Sequence, residues 1–157
     1  MHDDIQTLRR ILKENHTIAV VGLSANWYRP SYFAAKYLQE YGYRIIPVNP
    51  RYEEILGEKC YPTVDAIPEK IDVVDVFQHS DRVMPFAEAA IRVGARVLWL
   101  QLGVVNEQAA ALVQTAGLDV IMNRCMKIEH SRLFGCINFV GVNRNLISAK
   151  RCQWLPY

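Results

Sequence analysis

The sequence predicts an α/β fold, a doubly wound parallel sheet of about five strands with helices on both faces. Short, continuous β-branched runs such as residues 18–21 are typical of strands buried on both faces. Segments with helical periodicity alternate with these runs along the chain, as in parallel sheets built from βαβ units. With right-handed crossovers, we expect the strand order 3-2-1-4-5 that is common in such sheets.

The first half of the chain has clear helix and strand boundaries. The leading helix carries four apolar side chains on one face. The first strand stops at Gly22, and Gly42 suits the C′ position of the helix that follows. Pro68 ends the last helical turn of this half. The predicted elements are helix 3–13, strand 17–21, helix 31–41, strand 44–48 and single helical turns at 53–56 and 63–67.

The second half repeats the alternation. Ser80 is a candidate cap for the third helix, and Pro85 is tolerated because it falls early in that helix. Asn106 suits an N-cap, and Gly117 closes the helix that it starts. The tail, residues 134–157, has no clear period. We expect residues 1–157 to form a single domain, with this tail wrapped around the rest of it. The predicted elements are strand 72–77, helix 81–93, strand 96–100, helix 106–116 and strand 119–122.

Composition excludes several classes of protein. The 157 residues suffice for one domain, and a net charge of +2 without a basic run argues against nucleic acid binding. No apolar stretch reaches membrane-spanning length, and the N-terminus lacks a signal-peptide pattern. The four cysteines form no C-x-x-C pair, so we expect no metal site and a cytoplasmic protein with free thiols.

The stretch after the first strand predicts an anion site. A strand, a turn at Gly22 and a helix starting near Ser31 direct free N–H groups and the positive helix end toward one place. We therefore expect a phosphate-bearing ligand, whose approach a β-branched residue at position 22 would block. Only one glycine of the G-x-G-x-x-G pattern is present, so a plain turn between strand and helix is the alternative.

The end of the second strand discriminates between nucleotides. Proteins that bind NAD have a carboxylate there, which accepts a hydrogen bond from the ribose hydroxyl. This chain has Asn49, Pro50 and Arg51 instead. A guanidinium suits a phosphorylated ribose, which favours NADP or coenzyme A over NAD. The alternative is that Arg51 is a solvated loop residue.

Two further loops belong to the same predicted edge of the sheet. Arg29 and Ser31 are placed to contact a pyrophosphate, and the neighbouring aromatic residues Trp27 and Tyr28 to cover an adenine or a pantetheine arm. The loop of residues 101–103 offers backbone groups and a glycine for close approach. Surface packing of the aromatic residues and a simple tight turn are the alternatives.

Six segments, taken together, resemble the small stand-alone CoA-binding domain proteins, which are similar to the N-terminal domain of the succinyl-CoA synthetase alpha subunit. The resemblance extends over roughly residues 5–135 and implies a Rossmann-like fold that binds coenzyme A. The segments are Gly22-Leu23-Ser24, Arg29-Pro30-Ser31-Tyr32, Val48-Asn49-Pro50, Val74-Asp75-Val76-Phe77, Trp99-Leu100-Gln101-Leu102-Gly103 and Asn123-Arg124-Cys125-Met126-Lys127-Ile128-Glu129-His130.

The resemblance carries the family's ligand loops onto residues 22–24, 49–51 and 101–103. Family members often follow the phenylalanine of the third strand with arginine, whereas Gln78 and His79 stand here. The predicted ligand-binding residues are Gly22, Leu23, Ser24, Arg29, Ser31, Asn49, Pro50, Arg51, Phe77, Gln101, Leu102 and Gly103.

The sequence offers little catalytic chemistry. It shows no paired carboxylates, metal pattern or Ser-His-Asp arrangement. His79 and His130 are candidate site residues, and Lys127 is placed to lower the pKa of the Cys125 thiol, although a buried cysteine beside a short helix explains the same pattern.

The preferred hypothesis is therefore a protein that binds coenzyme A or an acyl-CoA without catalysis of its own and serves an acyl-CoA enzyme. The alternatives are an NADP-linked oxidoreductase, a nucleotide-binding subunit of an acyl-CoA ligase, and a scaffold whose site has decayed.

Overall fold

The computed structural model describes residues 4–135, which form a five-stranded parallel sheet, a small hairpin and five α-helices. The strands are β1 Thr17–Val21, β2 Arg44–Val48, β3 Glu54–Ile55, β4 Glu58–Lys59, β5 Val73–Val76, β6 Val97–Leu100 and β7 Asp119–Ile121. The helices are α1 Ile5–Glu14, α2 Pro30–Glu40, α3 Met84–Arg92, α4 Glu107–Thr115 and α5 Met126–Phe134. Short 3₁₀ turns lie at Val64–Ala66 and Ser80–Arg82.

The sheet confirms the predicted fold class. Successive residues of the strands face opposite sides, and both sides are buried. Ile18 and Val20 pack with α1, α2 and α5, whereas Ala19 and Val21 pack with α3 and α4. The continuous apolar runs of the sequence follow directly from this double burial.

The predicted strand order is wrong. The observed order is β2-β1-β5-β6-β7, so the third predicted strand pairs with β1 on the side opposite β2. The outer edge of β2 is occupied instead by the chain that leaves the hairpin. There the Tyr61 amide donates to the Pro47 carbonyl, and the Asn49 amide donates to the Tyr61 carbonyl, each at 2.9 Å. That edge is therefore unavailable to β5.

The helical turn predicted at 53–56 is also wrong, because these residues begin the β3–β4 hairpin. Its two-residue loop is Leu56-Gly57, with φ of 56° and 74°, and two positive φ values are typical of the type I′ turn that matches hairpin twist. The turn at 63–67 is confirmed as a 3₁₀ turn. The helix predicted at 81–93 starts as a 3₁₀ turn and becomes α-helical only at Met84.

The predicted tail begins inside a helix that the sequence did not clearly mark, since Phe134 ends α5. The remaining predicted tail, residues 136–157, lies outside the described part of the chain. No helix among residues 4–135 is long and apolar enough to cross a membrane.

His130, one of the histidines considered for the ligand site, lies instead in the packing of α5 on α2. Its Nδ1 is 3.0 Å from the Tyr37 hydroxyl, and the rings of Tyr41, Tyr43 and Phe134 surround it. Burial lowers the pKa of His130 to about 4. The imidazole therefore serves as a neutral packing group.

We predict that His130 makes the fold sensitive to acid. Its native pKa lies below the value of about 6.5 in the unfolded chain, so the stabilisation is complete above pH 6.5 and is lost as the pH falls toward 4. Urea unfolding at pH 7 and pH 4.5 should show that the free energy of unfolding falls by about 2–3 kcal/mol more in wild type than in His130→Gln. His16→Gln, at an exposed histidine, should behave as wild type, and equal losses in both variants would contradict the assignment.

Candidate functional site

The carboxyl ends of the parallel strands open into a cleft of about 1650 Å³. Its lining comes from the loops that follow β1, β2, β5 and β6 and from the first residues of α2 and α5. Eleven of the twelve predicted ligand-binding residues line it: Gly22, Ser24, Arg29, Ser31, Asn49, Pro50, Arg51, Phe77, Gln101, Leu102 and Gly103. The structure thus places these residues together, while their role in binding remains a prediction.

Gly22 sits where three strands end. Its amide donates to the Val48 carbonyl, and its φ is +79°. A Cβ at this position would lie 2.4 Å from the backbone oxygen of Phe77, which is too close for any side chain. A glycine is thus required first by the packing of two loops, so replacing it would disturb the fold as well as the approach of a phosphate.

Leu23 is the twelfth predicted residue, and the structure buries it completely. Its carbonyl accepts a hydrogen bond from Asn49 Nδ2 at 3.0 Å, and Asn49 Oδ1 accepts from the Arg51 amide at 3.0 Å. Asn49 therefore joins the loops after β1 and β2 and fixes the backbone from which the exposed Arg51 side chain extends.

The start of α2 provides an open helix N-terminus on the cleft. Arg29 is the N-cap residue and forms no side-chain capping bond, and Pro30 follows at the first helical position. The hydroxyl of Ser31 accepts instead from the Ser24 amide at 3.1 Å, which holds the glycine turn against the helix. Free N–H groups at a helix N-terminus attract anions.

Charge on the cleft wall has one dominant sign. Among residues 4–135, four cationic side chains and one carboxylate line it, namely Arg29, Arg51, Arg82, Lys127 and Asp81. Nearby aromatic residues add apolar surface, since Tyr28 lines the cleft and packs edge-on against the exposed Trp27 at 6.0 Å. Such a lining favours an anionic ligand with an aromatic or apolar portion.

A buried carboxylate lies beneath the cleft and was not singled out as a site residue from the sequence. Asp75 is fully buried in β5, and both of its oxygens accept from Gln101 Nε2, at 2.8 and 3.0 Å. Burial raises the pKa of Asp75 to about 7, although the bond from Gln101 opposes the rise. The one available signal was a charged residue inside an apolar run, residues 73–76.

Side-chain amides also join the loops on the other side of the cleft. Asn123 Oδ1 accepts from the Gly103 amide at 2.8 Å, and Asn106 Nδ2 donates to the Ser80 carbonyl at 2.8 Å. Asn106 caps α4 as predicted, accepting from the Ala109 amide. Leu102, 65% exposed, remains free to contact a ligand.

The charge of Lys127 lowers the pKa of the Cys125 thiol as expected, but this contribution is outweighed, so the thiol is not activated and the alternative of a buried cysteine holds. Burial raises the pKa of the Cys125 thiol, and the nearby Asp75 carboxylate adds to the rise. Glu129 forms ion pairs with Arg124 and Arg132 and is not directed at the thiol. The thiol is therefore protonated at neutral pH, as expected for a buried structural cysteine.

Of the described histidines, one lies on the cleft and two lie away from it. His79 lines the cleft, whereas the exposed His16 immediately precedes β1, at the opposite edge of the sheet. His130 belongs to the packing of α5. Among residues 4–135, no three His, Cys, Asp or Glu side chains are grouped so as to hold a metal ion.

Comparison with known proteins adds independent evidence. Residues 16–131 match the sequence profile of the family described as CoA binding domain. The uncharacterized protein YneT of Bacillus subtilis (strain 168) is 40% identical over 124 residues, which are 79% of this chain and 92% of that protein. The structure of a hypothetical protein from Pyrococcus horikoshii OT3 superposes with a TM-score of 0.83 at 45% identity, covering 85% of this chain and 94% of that one.

A third similarity is to a much larger enzyme. The ADP-forming acetate–CoA ligase of Methanocaldococcus jannaschii is 35% identical over 57 residues. These are 36% of this chain but only 8% of the ligase, so the chain corresponds to a small part of that protein.

We predict that Asp75 produces a pH dependence opposite to that of His130. Its native pKa of about 7 lies above the unfolded value, so the stabilisation is complete below about pH 3.8 and is lost as the pH rises through 7. Between pH 5 and 8, the free energy of unfolding measured in urea should fall by about 2–3 kcal/mol more in wild type than in Asp75→Asn. Asp81→Asn removes an exposed carboxylate and should leave the loss unchanged; a loss that persists in Asp75→Asn would refute the assignment.

Proposed function

The chain belongs to the CoA binding domain family, and on this premise we propose that it binds coenzyme A or an acyl-CoA in the cleft at the carboxyl edge of its sheet. The observation that carries the proposal is the excess of cations on a cleft that also contains the open N-terminus of α2. Coenzyme A carries a pyrophosphate and a ribose phosphate. Cationic side chains and a helix N-terminus both attract such phosphate groups.

The size of the cleft fits an extended ligand. Its volume of about 1650 Å³ exceeds the range of about 300–1,000 Å³ usual for small-molecule sites. Coenzyme A combines an adenine nucleotide with a long pantetheine arm. The lining combines polar loops with the aromatic residues Tyr28, Phe33 and Phe77, which suits a ligand that has both polar and apolar portions.

The loop after β2 supports coenzyme A over NAD. The side-chain amide of Asn49 donates to the Leu23 carbonyl and accepts from the Arg51 amide, so its orientation is set by the two loops that it joins. No carboxylate takes the position that NAD readers use at this strand end. The Arg51 guanidinium extends from the same loop and suits a phosphorylated ribose.

Two of the three side chains considered for catalysis are unsuited to it, which supports binding without catalysis, while His79 lines the cleft. The Cys125 thiol is held protonated, and His130 is committed to the packing of α5. The second candidate function is a nucleotide-binding part of an acyl-CoA ligase, which the similarity to acetate–CoA ligase favours. In that case a partner protein would supply the catalytic groups.

We predict a ranking of nucleotides in calorimetric titrations. Coenzyme A should bind, and NADP should bind more weakly because it lacks the pantetheine arm. NAD should show no measurable binding, since it lacks both that arm and the ribose phosphate that Arg51 would contact. Tighter binding of NAD than of coenzyme A would contradict the proposed function.

Arg51 provides a sharper test. A charge-assisted contact of its guanidinium with the ribose phosphate contributes about 1.5–3 kcal/mol, so Arg51→Ala should weaken coenzyme A about 10- to 100-fold. Dephospho-CoA lacks this phosphate and should lose little affinity on the same substitution. Arg51→Lys should recover only part of the loss, because a point charge cannot form two parallel bonds.

The matched control is Arg9→Ala, which removes an exposed arginine of α1 outside the cleft lining. It should leave both affinities unchanged. If Arg51→Ala weakens coenzyme A and dephospho-CoA equally, Arg51 does not contact that phosphate, and Arg29 becomes the next residue to test.

A further inference from the structure

Lys127 is a buried cation without a hydrogen-bond or ion-pair partner among residues 4–135. The residue is only 3% exposed, and its Nζ forms no hydrogen bond within the described part of the chain. No carboxylate of residues 4–135 forms an ion pair with it at salt-bridge distance. Buried ammonium groups are normally paired, because a charged group that leaves water loses its favourable hydration.

Within residues 4–135, Lys127 makes cation–π contacts with two aromatic rings, and its charge also interacts with the nearby Cys125 thiol. Its Nζ lies 5.6 Å from the ring centre of Phe33 and 5.6 Å from that of Tyr37. Such cation–π contacts are weak and offset only part of the cost of burial. Burial accordingly lowers the pKa of Lys127. The fold thus retains an unfavourable group at this position.

The surroundings of Lys127 are positive as well. Lys127 is the second residue of α5, and Phe33, whose ring it contacts, lies in the first turn of α2. Both helices therefore direct their positive N-terminal ends toward this part of the cleft. Lys127 itself lines the cleft. An anion placed there would meet a buried ammonium group and two helix ends.

We propose that Lys127 binds an anionic oxygen of the ligand, at a subsite distinct from Arg51. The oxygen belongs either to the pyrophosphate of coenzyme A or to a carboxylate at the end of its acyl group. The identity of the ligand rests on the proposed function, whereas binding of an anion by Lys127 does not. The unpaired charge is then explained as a group that acquires its partner when the ligand binds.

Lys127→Met tests the proposal, because methionine fills similar space without charge. Removing an unpaired buried charge should leave the melting temperature of the free protein unchanged or higher, whereas binding should weaken. A residue with a purely structural role would not give these opposite effects. Lys127→Gln, which keeps a polar group, is the second variant should the first fail to fold. Lys36→Met, at an exposed position of α2, is the control for net charge.

The probes are inorganic pyrophosphate, coenzyme A, acetyl-CoA and malonyl-CoA, each titrated by calorimetry. If Lys127 binds the pyrophosphate, Lys127→Met should weaken all four by about tenfold or more. If it binds an acyl carboxylate, only malonyl-CoA should weaken by that factor, and acetyl-CoA should not. Unchanged affinities for all four in Lys127→Met and Lys127→Gln would overturn the inference.

These outcomes separate the inference from the proposed function. Wild type that binds pyrophosphate through Lys127 but does not bind coenzyme A would refute the function and support the subsite. If wild type and Lys127→Met bind coenzyme A with equal affinity, and their affinities for the other probes are also equal, the function is supported and the subsite is refuted. Wild type that binds none of the four probes would refute both.

Discussion

The contact between Gly22 and the backbone of Phe77 is the constraint on which the cleft depends. Gly22 directly follows β1, donates to the carbonyl of Val48 at the end of β2, and approaches the end of β5 more closely than any side chain allows. Three neighbouring strands thereby end at one place. The start of α2 is then held against the turn by the bond between Ser31 and Ser24, which directs the helix N-terminus into the cleft.

Side chains of asparagine extend this arrangement across the whole edge of the sheet. Asn49, Asn106 and Asn123 each satisfy backbone groups of a neighbouring loop. The loops are therefore joined to one another as well as to their own strands. A ligand that binds loops ordered in advance loses less of its binding free energy to their ordering, which suits a cleft whose cations must act together on phosphate groups.

Local patterns in the sequence predicted much of the fold. Continuous apolar runs located the five parallel strands, and Asn106 and Gly42 marked helix ends because capping depends on neighbouring residues only. Strand order could not be read in this way, since it depends on which edge of β2 is already covered. The hairpin was missed because strands of two residues show no periodicity and because Leu56 adopts a positive φ that few leucines take.

The candidate site, too, was predictable where it depends on local sequence and not where it depends on contacts distant in sequence. Its loops were predictable because the carboxyl ends of parallel strands meet at one edge. The roles of Asp75, Lys127 and Cys125 were not, since each depends on burial by residues distant in sequence. A lysine beside a cysteine suggests an activated thiol, yet burial raises the pKa of Cys125 and lowers that of Lys127. Desolvation, which no short motif reports, determines the protonation of both groups.

The segment that covers β2 also bears on how copies of this chain behave when crowded together. Open edges of parallel sheets are templates onto which a strand from another molecule can add, and this is a route to aggregation. The two hydrogen bonds of Tyr61 occupy the Pro47 carbonyl and the Asn49 amide, two backbone groups at the carboxyl end of β2 that such a strand would need. At the other edge β7 has only three residues, and its Asp119 pairs with Arg10 of α1. The sheet thus has one covered edge and one short edge bearing a charged pair, and both disfavour the addition of a foreign strand.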